Sequence, residues 1–198
     1  MSEFWNKRYS ETEYVYGKSP NEFLKGELNE ILPGKILFLG EGEGRNSVYA
    51  ATLGWEVDAV DASYEGKKKA DKLAEEKHVK INYTVNDLAS YSCRQNYYDA
   101  VALIFLHLEE PLRNKVYHMA VGALKSGGRI ILESFDKDQL NYNSGGPKEE
   151  ELLYSLEDIV NDFIELDFAK LSKEIVELNE GKFHEGKGSV VRFVGIKP

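Results

Sequence analysis

The stretch Lys35-Ile-Leu-Phe-Leu-Gly-Glu-Gly-Glu-Gly-Arg-Asn46 constrains the fold of this chain more than any other. Ile36 to Leu39 is a short apolar run of the kind that forms a buried strand. It ends in Gly40, Gly42 and Gly44. A helical pattern with Val48, Ala51 and Thr52 on one side follows at once and stops at Gly54. A second buried strand, Trp55 to Asp61, closes on an acid. Strand, glycine turn, helix, strand and acid, in that order, form the layout of a nucleoside-binding unit. Glycines lack a Cβ, so the backbone turns tightly and a ligand can approach it closely. A carboxylate at the tip of the second strand can accept both hydroxyl protons of a ribose, which makes Asp61 the candidate sugar contact.

The spacing of the glycines narrows the nucleoside. A dinucleotide fingerprint puts its third glycine at position 45, which here is Arg45, and the third glycine falls at 44 instead. Glu41 and Glu43 place negative charge inside the turn. That is a poor cradle for a pyrophosphate, although helix-terminus amides favour one. Such a turn suits a ligand with no phosphate and with a positive charge. S-adenosylmethionine fits, with an adenosine, a sulfonium and an α-amino group. The segment resembles motif I of class I S-adenosylmethionine-dependent methyltransferases. The wording Gly40-Glu-Gly-Glu-Gly-Arg-Asn46 is similar to the branch that includes the tellurite-resistance methyltransferases.

The resemblance runs over residues 35–135 by motif and over the whole chain by element order. It implies an α/β, Rossmann-like, doubly wound fold with a seven-stranded, mostly parallel sheet and a C-terminal antiparallel hairpin. It implies one methyltransferase domain over 1–198, with a lid or helical segment at 1–34 and the sheet core at 35–198. S-adenosylmethionine is the implied cofactor, with contacts at Gly40, Glu41, Gly42, Arg45, Asp61, Ala62, Asn86, Asp87, Leu88, Phe105 and Tyr16. There is one departure. Many class I methyltransferases carry an acid two residues before the first glycine, where this chain has Phe38, so Glu41 or Glu43 would have to serve the methionine end.

Composition bounds the rest. With 198 residues, 42% hydrophobic and 30% charged, the chain is long enough for one domain with a substantial core and is globular in character. A net charge of −9 argues against nucleic acid as a partner, because phosphate binding needs a basic patch. The basic run Lys67 to Lys69 reads as a solvated helix face. The one cysteine, Cys93, forms no internal disulfide and has no partner base near it in sequence. The amino terminus lacks a signal peptide's apolar core, and no run approaches the ~20 apolar residues of a membrane helix. The expectation is a cytoplasmic protein that meets a small-molecule methyl acceptor, with neither nucleic acid nor membrane as a partner.

Taken in order, residues 1–34 carry Phe4, Trp5, Tyr9, Tyr14, Tyr16 and Phe23 before a helical spacing over Asn21 to Leu32. These aromatics either cap the sheet edge or, through Tyr14, Tyr16 and Trp5, form a lid over the nucleoside and its substrate; the resemblance favours the lid. Ser63 caps a helix with Ala70, Leu73 and Ala74 inward. Val79 to Val85 alternates as a third strand and ends in Asn86-Asp87-Leu88, where an Asp could meet an adenine amino group or simply close a turn. Tyr98 to His107 is the most apolar strand. Its end would lie under the sulfonium and offers His107 as the candidate catalytic group. Pro111 opens the next helix, Lys125-Ser-Gly-Gly128 stops it, and Gly128 to Phe135 is the fifth strand.

Residues 136–154 read as an irregular loop overhanging the cleft. Ser155 to Asp158 is a capping-box variant before a short helix. The runs Ala169 to Leu178 and Ser189 to Ile196 read as a hairpin, with His184 in its solvated loop. His184, Glu180 and Glu185 match no strong metal pattern.

Methyl transfer to a thiolate or a soft chalcogen anion requires alignment and exclusion of water more than acid–base help. An oxygen or nitrogen acceptor would use a base, and His107 is the first candidate. A non-catalytic S-adenosylmethionine-binding module and an NAD-linked oxidoreductase are the other readings, the second disfavoured by Arg45.

Overall fold

The structure is a computed structural model and describes residues 2–198. The described residues form one seven-stranded sheet in the order β3-β2-β1-β4-β5-β7-β6. The strands are β1 (Lys35–Leu39), β2 (Glu56–Asp61), β3 (Asn82–Val85), β4 (Tyr98–Ile104), β5 (Leu124–Phe135), β6 (Asp167–Asn179) and β7 (Glu185–Ile196). The first five run parallel, and β7 is inserted antiparallel between β5 and β6. This is the mixed doubly wound sheet with a terminal hairpin that the sequence implies. The strand order reverses between β1 and β4, so the loops leaving their carboxyl ends diverge and open a crevice there.

Both faces of the central strands are buried, which is why they read as unbroken apolar runs. Alternate side chains of β1 go to opposite faces. Leu37 and Leu39 join the core under helix α5 (Glu110–Ala123) and helix α6 (Leu156–Asp162), with Val116, Tyr117, Ile159 and Phe163. Ile36 and Phe38 join the core under α2 (Glu22–Asn29), α3 (Arg45–Thr52) and α4 (Tyr64–Glu76), with Leu24, Leu28, Ala50 and Ala70. Phe38, two residues before the first glycine of the bend, is thus a core residue, 1% exposed. A last helix, α1 (Ser2–Tyr9), lies against α4.

Three element ends differ from the sequence reading. Helix α5 runs into β5 without a stop, because Leu124 already pairs with Tyr98 across a register shift. Gly127 and Gly128 continue the ladder by bonding Lys197 instead of making a free turn. Strand β4 ends at Ile104: Phe105 turns left-handed, with φ 50°, while its N–H still donates to the Glu133 carbonyl at 2.7 Å. Strand β3 starts at Asn82, three residues later than its alternation suggests. The 136–154 connection is also more ordered than a loose overhang. It holds short 3-10 turns at Lys137–Asn141 and Glu150–Leu152, and Gln139 packs onto β7 by accepting the Ser189 N–H at 2.8 Å. No helix among the described residues is long and apolar enough to cross a membrane.

Candidate active site

The site is assembled at the carboxyl edge of the parallel strands. Gly40 and Glu41 both donate their N–H to the Val60 carbonyl, at 2.8 and 3.2 Å, which folds the chain back over β2 as it leaves β1. Gly40, Gly42 and Gly44 have φ of 73°, 66° and 89°, a region that side chains with a Cβ rarely enter. At Gly44 space matters as well: a Cβ would stand 2.5 Å from the Ala70 Cβ and 2.7 Å from its Cα. The bend therefore sits directly on α4.

Both acids of the bend are engaged by the protein. The Glu41 carboxylate accepts the N–H groups of Asn46 and Ser47 at 3.1 and 2.7 Å, so it caps α3, whose N-cap Gly44 offers no side chain. Burial pushes the Glu41 carboxyl up to about 7, against the pull of the Ser47 hydrogen bonds. Glu43 accepts the N–H groups of Val15 and Tyr16 and pairs with Lys69 at 2.6 Å, which ties the N-terminal segment to the bend and to α4. The α3 amides of Asn46 and Ser47, which would greet a phosphate, therefore already hold a carboxylate.

Asp61 ends β2, 8% exposed. Its two oxygens accept the N–H of Gly42 at 3.0 Å and of Ser63 at 2.8 Å. Burial raises its pKa, offset in part by the Ser63, Gly42 and Ala62 amides. Each carboxylate oxygen has further lone-pair capacity for a hydroxyl. Ala62 follows Asp61, and the Asn86 N–H donates to the Asp61 carbonyl at 2.9 Å, which brings the start of Asn86-Asp87-Leu88 beside it. The Asp87 side chain is exposed and accepts the Ala89 N–H at 2.8 Å, an Asx turn, while Leu88 is buried in the core. Arg45 is directed elsewhere: its guanidinium pairs with Glu180 at 2.8 Å, with only 8% of its side chain exposed.

The N-terminal segment lies over the bend. Asn6 Oδ1 accepts the Ser63 hydroxyl at 2.9 Å and the Glu65 N–H at 3.1 Å, which fixes α1 to the start of α4. Tyr9 is buried; its hydroxyl is 2.7 Å from where a Gly42 Cβ would be, and Trp5 stacks on it. Arg8 packs on Phe4, Trp5 and Phe183 and donates to the Tyr16 hydroxyl at 3.0 Å. Tyr14 bonds the Lys69 carbonyl on α4.

From Tyr16 the rings continue across the sheet edge. His184 lies 4.7 Å from Tyr16, 4.5 Å from Phe105 and 5.1 Å from Phe135, centroid to centroid. His107 stacks on Phe135 at 5.7 Å, so Phe135 stands between the two histidines. His107 Nδ1 lies 2.7 Å from the Leu152 carbonyl, which can only accept, so Nδ1 carries the hydrogen. Its Nε2 is buried and has no partner among the described residues. Burial lowers its pKa to about 4, despite the Leu152 hydrogen bond. The imidazole is therefore neutral near pH 7, and its Nε2 is a buried acceptor with no hydrogen-bond partner among the described residues.

The expectation of a solvated His184 is corrected here: the residue is 5% exposed. The loop composition hid this, but the hairpin itself carried the signal. Because β7 is antiparallel to β5, its start at Glu185 falls at the carboxyl edge of the parallel strands, with Val190 paired to Phe135. Tyr9 and Asn6 also stand beside the bend and the start of α4, and neither residue type signals that position in the sequence. Among the described residues no group of three or more candidate metal ligands gathers.

This fold is shared with methyltransferases. Magnesium protoporphyrin IX methyltransferase (ChlM) from Synechocystis PCC 6803, solved with bound SAH, superposes with a TM-score of 0.68 at 16% identity, over 89% of this chain and 82% of its own. TehB from Haemophilus influenzae superposes with a TM-score of 0.75 at 17% identity, over 100% of this chain and 67% of its own. The family model described as tellurite resistance protein TehB matches residues 2–151, and the chain belongs to that family. A curated relative, the probable S-adenosyl-L-methionine-dependent methyltransferase TehB of Haemophilus influenzae (strain 10810), is 28% identical over 116 residues, 56% of this chain and 39% of the relative. The chain spans about two fifths of the length of the curated relatives it matches.

Proposed function

We propose that this chain is an S-adenosylmethionine-dependent methyltransferase that acts on a small molecule, with a thiol or a chalcogen oxyanion as the acceptor class. The observation that carries the reading is the side-chain-free bend of Gly40, Gly42 and Gly44 beside the buried Asp61 carboxylate, in a chain of the TehB family. These residues fit the cofactor. The bend offers backbone without Cβ atoms, and Asp61 has acceptor capacity for two ribose hydroxyls. Adenine would lie along Asn86, Asp87 and Leu88, and the bend residues Gly40, Glu41 and Gly42 would border the methionine end. Arg45 supports the bend from behind through Glu180.

When bound, S-adenosylmethionine supplies an electrophilic methyl group on a sulfonium. The chain supplies the rest. Helix α1, with Trp5 and Tyr9, covers the bend and excludes water. Tyr16, Phe105 and Phe135 wall the acceptor side, and a low-polarity wall strengthens the attraction between an electron-rich acceptor and a cationic methyl donor. His107 and His184 both lie against Phe135, and a proton carried by the acceptor passes to one of these two imidazoles. A binding module without turnover would keep the first set of contacts and have no use for a buried imidazole nitrogen left without a partner. An NAD-linked reading is opposed by the Glu41 cap, which occupies the amides a pyrophosphate would need.

Two measurements test this. Calorimetric titration with S-adenosylhomocysteine should show saturable binding, and labelled methyl should pass to at least one of tellurite, selenite and 2-mercaptoethanol. No binding at millimolar ligand, or no transfer to any of the three, would end the proposal. Asp61→Ala should weaken S-adenosylhomocysteine by about 2 kcal/mol, roughly thirtyfold in Kd, since charge-assisted hydrogen bonds to the sugar are lost. An unchanged Kd in a folded variant would remove the sugar role from Asp61.

A further inference from the structure

We infer that Glu180 is a positioning residue, which orients the His184 ring on the acceptor side and ties it through Arg45 to the nucleoside bend. The inference rests on the methyltransferase reading above. Glu180 stands at the end of the hairpin loop with only 10% of its side chain exposed. Its Oε1 accepts Asn21 Nδ2 at 3.0 Å, and its Oε2 accepts Arg45 Nη2 at 2.8 Å and faces His184 Nδ1 at 3.3 Å. One carboxylate therefore collects donors from the N-terminal segment, from the first residue of α3 and from its own loop. The loop backbone closes around it, with Glu180 N–H donating to the His184 carbonyl and His184 N–H to the Gly181 carbonyl. At Gly181 a Cβ would meet the Val15 carbonyl at 2.5 Å, so the loop is set hard against the segment that covers the cofactor side.

The chemistry follows from what a carboxylate can do. Ionised, it only accepts, so the Nδ1 that faces it must carry the hydrogen and the lone pair falls to Nε2. Burial alone would raise the Glu180 carboxyl; the His184 hydrogen bond and the Arg45 charge outweigh it and hold it down at about 2. Glu180 is thus ionised at every working pH, and the tautomer of His184 is fixed. The Leu152 carbonyl imposes the same tautomer on His107. Both histidines beside Phe135 then show Nε2 as an acceptor. For a thiol acceptor the bonds balance simply. A sulfur–carbon bond forms to the methyl group, and the sulfonium–methyl bond breaks with its electron pair left on the cofactor sulfur. The thiol proton goes to His184 Nε2.

Arg45 adds the coupling. The same carboxylate that sets His184 also holds the guanidinium at the foot of the bend, so the acceptor-side base is in register only while the hairpin loop, the N-terminal segment and α3 are docked together. This also gives the Gly-Arg-Asn wording a function that touches no ligand: Arg45 holds Glu180, and Asn46 Oδ1 accepts the Asn21 N–H at 2.9 Å.

The test needs two readouts. Long-range proton–nitrogen NMR on the wild-type protein with S-adenosylhomocysteine should show His184 protonated at Nδ1 and bare at Nε2. Glu180→Gln keeps the size and can still accept from Asn21 through its one oxygen, but an amide nitrogen in the place of Oε2 turns a donor toward His184 Nδ1 and gives up the Arg45 hydrogen bond. The fixed tautomer should be lost, and kcat for methylation of 2-mercaptoethanol, whose thiol proton His184 takes, should fall by about a hundredfold, the low end for general-base catalysis. The Kd for S-adenosylhomocysteine should stay near wild type, a split that simple unfolding does not produce. A wild-type His184 protonated at Nε2 overturns the inference, as does a Glu180→Gln protein with wild-type kcat. The wild-type NMR result stands even if the variant does not fold. A wild-type protein that neither binds S-adenosylhomocysteine nor methylates any of the three defeats the function proposed above instead.

Discussion

Gly44→Ala is expected to lower stability by about 3 kcal/mol and to abolish S-adenosylhomocysteine binding. Two costs add. The residue sits at φ 89°, where an L side chain costs roughly 1–2 kcal/mol. Its new methyl group would then overlap Ala70, at 2.5 Å from Cβ and 2.7 Å from Cα, and overpacking of that kind costs about 1–3 kcal/mol. The second contact is with backbone, so no rotamer change relieves it; α4 must move away from the bend. That movement displaces Ser63 at the start of α4, and with it one of the two amides that hold the Asp61 carboxylate. Gly127→Ala is the control. Gly127 also has a positive φ, 76°, but a Cβ there meets nothing within 4 Å, so only the backbone cost of about 1–2 kcal/mol applies. Urea denaturation of the two variants checks the difference. Equal losses would show that α4 does not pin the bend.

The second large effect is a pH dependence carried by His107. Unfolded, the imidazole takes up a proton near its usual 6.5; folded, burial holds it to about 4. Above pH 6.5 both states are neutral and the native state enjoys the full contribution. Between 6.5 and 4 the unfolded chain binds more protons, so stability falls as acid is added. The shift corresponds to about 3 kcal/mol, lost progressively as pH drops through that window. His107→Phe keeps a ring on Phe135 and removes the titration. The stability advantage of wild type over the variant should therefore shrink by about 3 kcal/mol from pH 7 to pH 4. Taking the difference matters, because Glu41, raised to about 7, changes stability in the opposite sense over much the same range. A pH-independent difference between the two proteins would mean that the folded imidazole is not held neutral.

How far the sequence disclosed this site depends on where each residue finds its partner. The glycine bend, Asp61 and the fully buried strands were legible because their signals are local: an apolar run, three glycines and an acid within 27 residues, from Lys35 to Asp61. The hairpin was legible from two apolar runs around a glycine-rich loop. His184 was not, since Glu180 to Gly188 is polar and only the packing of that loop against Val15, Tyr16 and Phe135 buries it. The bend acids stand out in the sequence, yet their targets are backbone amides supplied by the next helix and by the N-terminal segment, which no spacing rule reveals. The end of β4 is hidden for a similar reason. Apolarity continues through Phe105 and Leu106, and nothing in the residue types announces a left-handed turn at Phe105.

The most direct test of the central claim is a crystal structure of the chain with S-adenosylhomocysteine. The account predicts the adenosine in the crevice above β1 and β2, its ribose hydroxyls within hydrogen-bonding distance of Asp61, the homocysteine chain along Gly40 to Gly42, and its sulfur facing the ring cluster of Phe105, Phe135, His107 and His184. Ligand bound elsewhere, with the glycine bend and the Asp61 carboxylate free of it, would contradict the account.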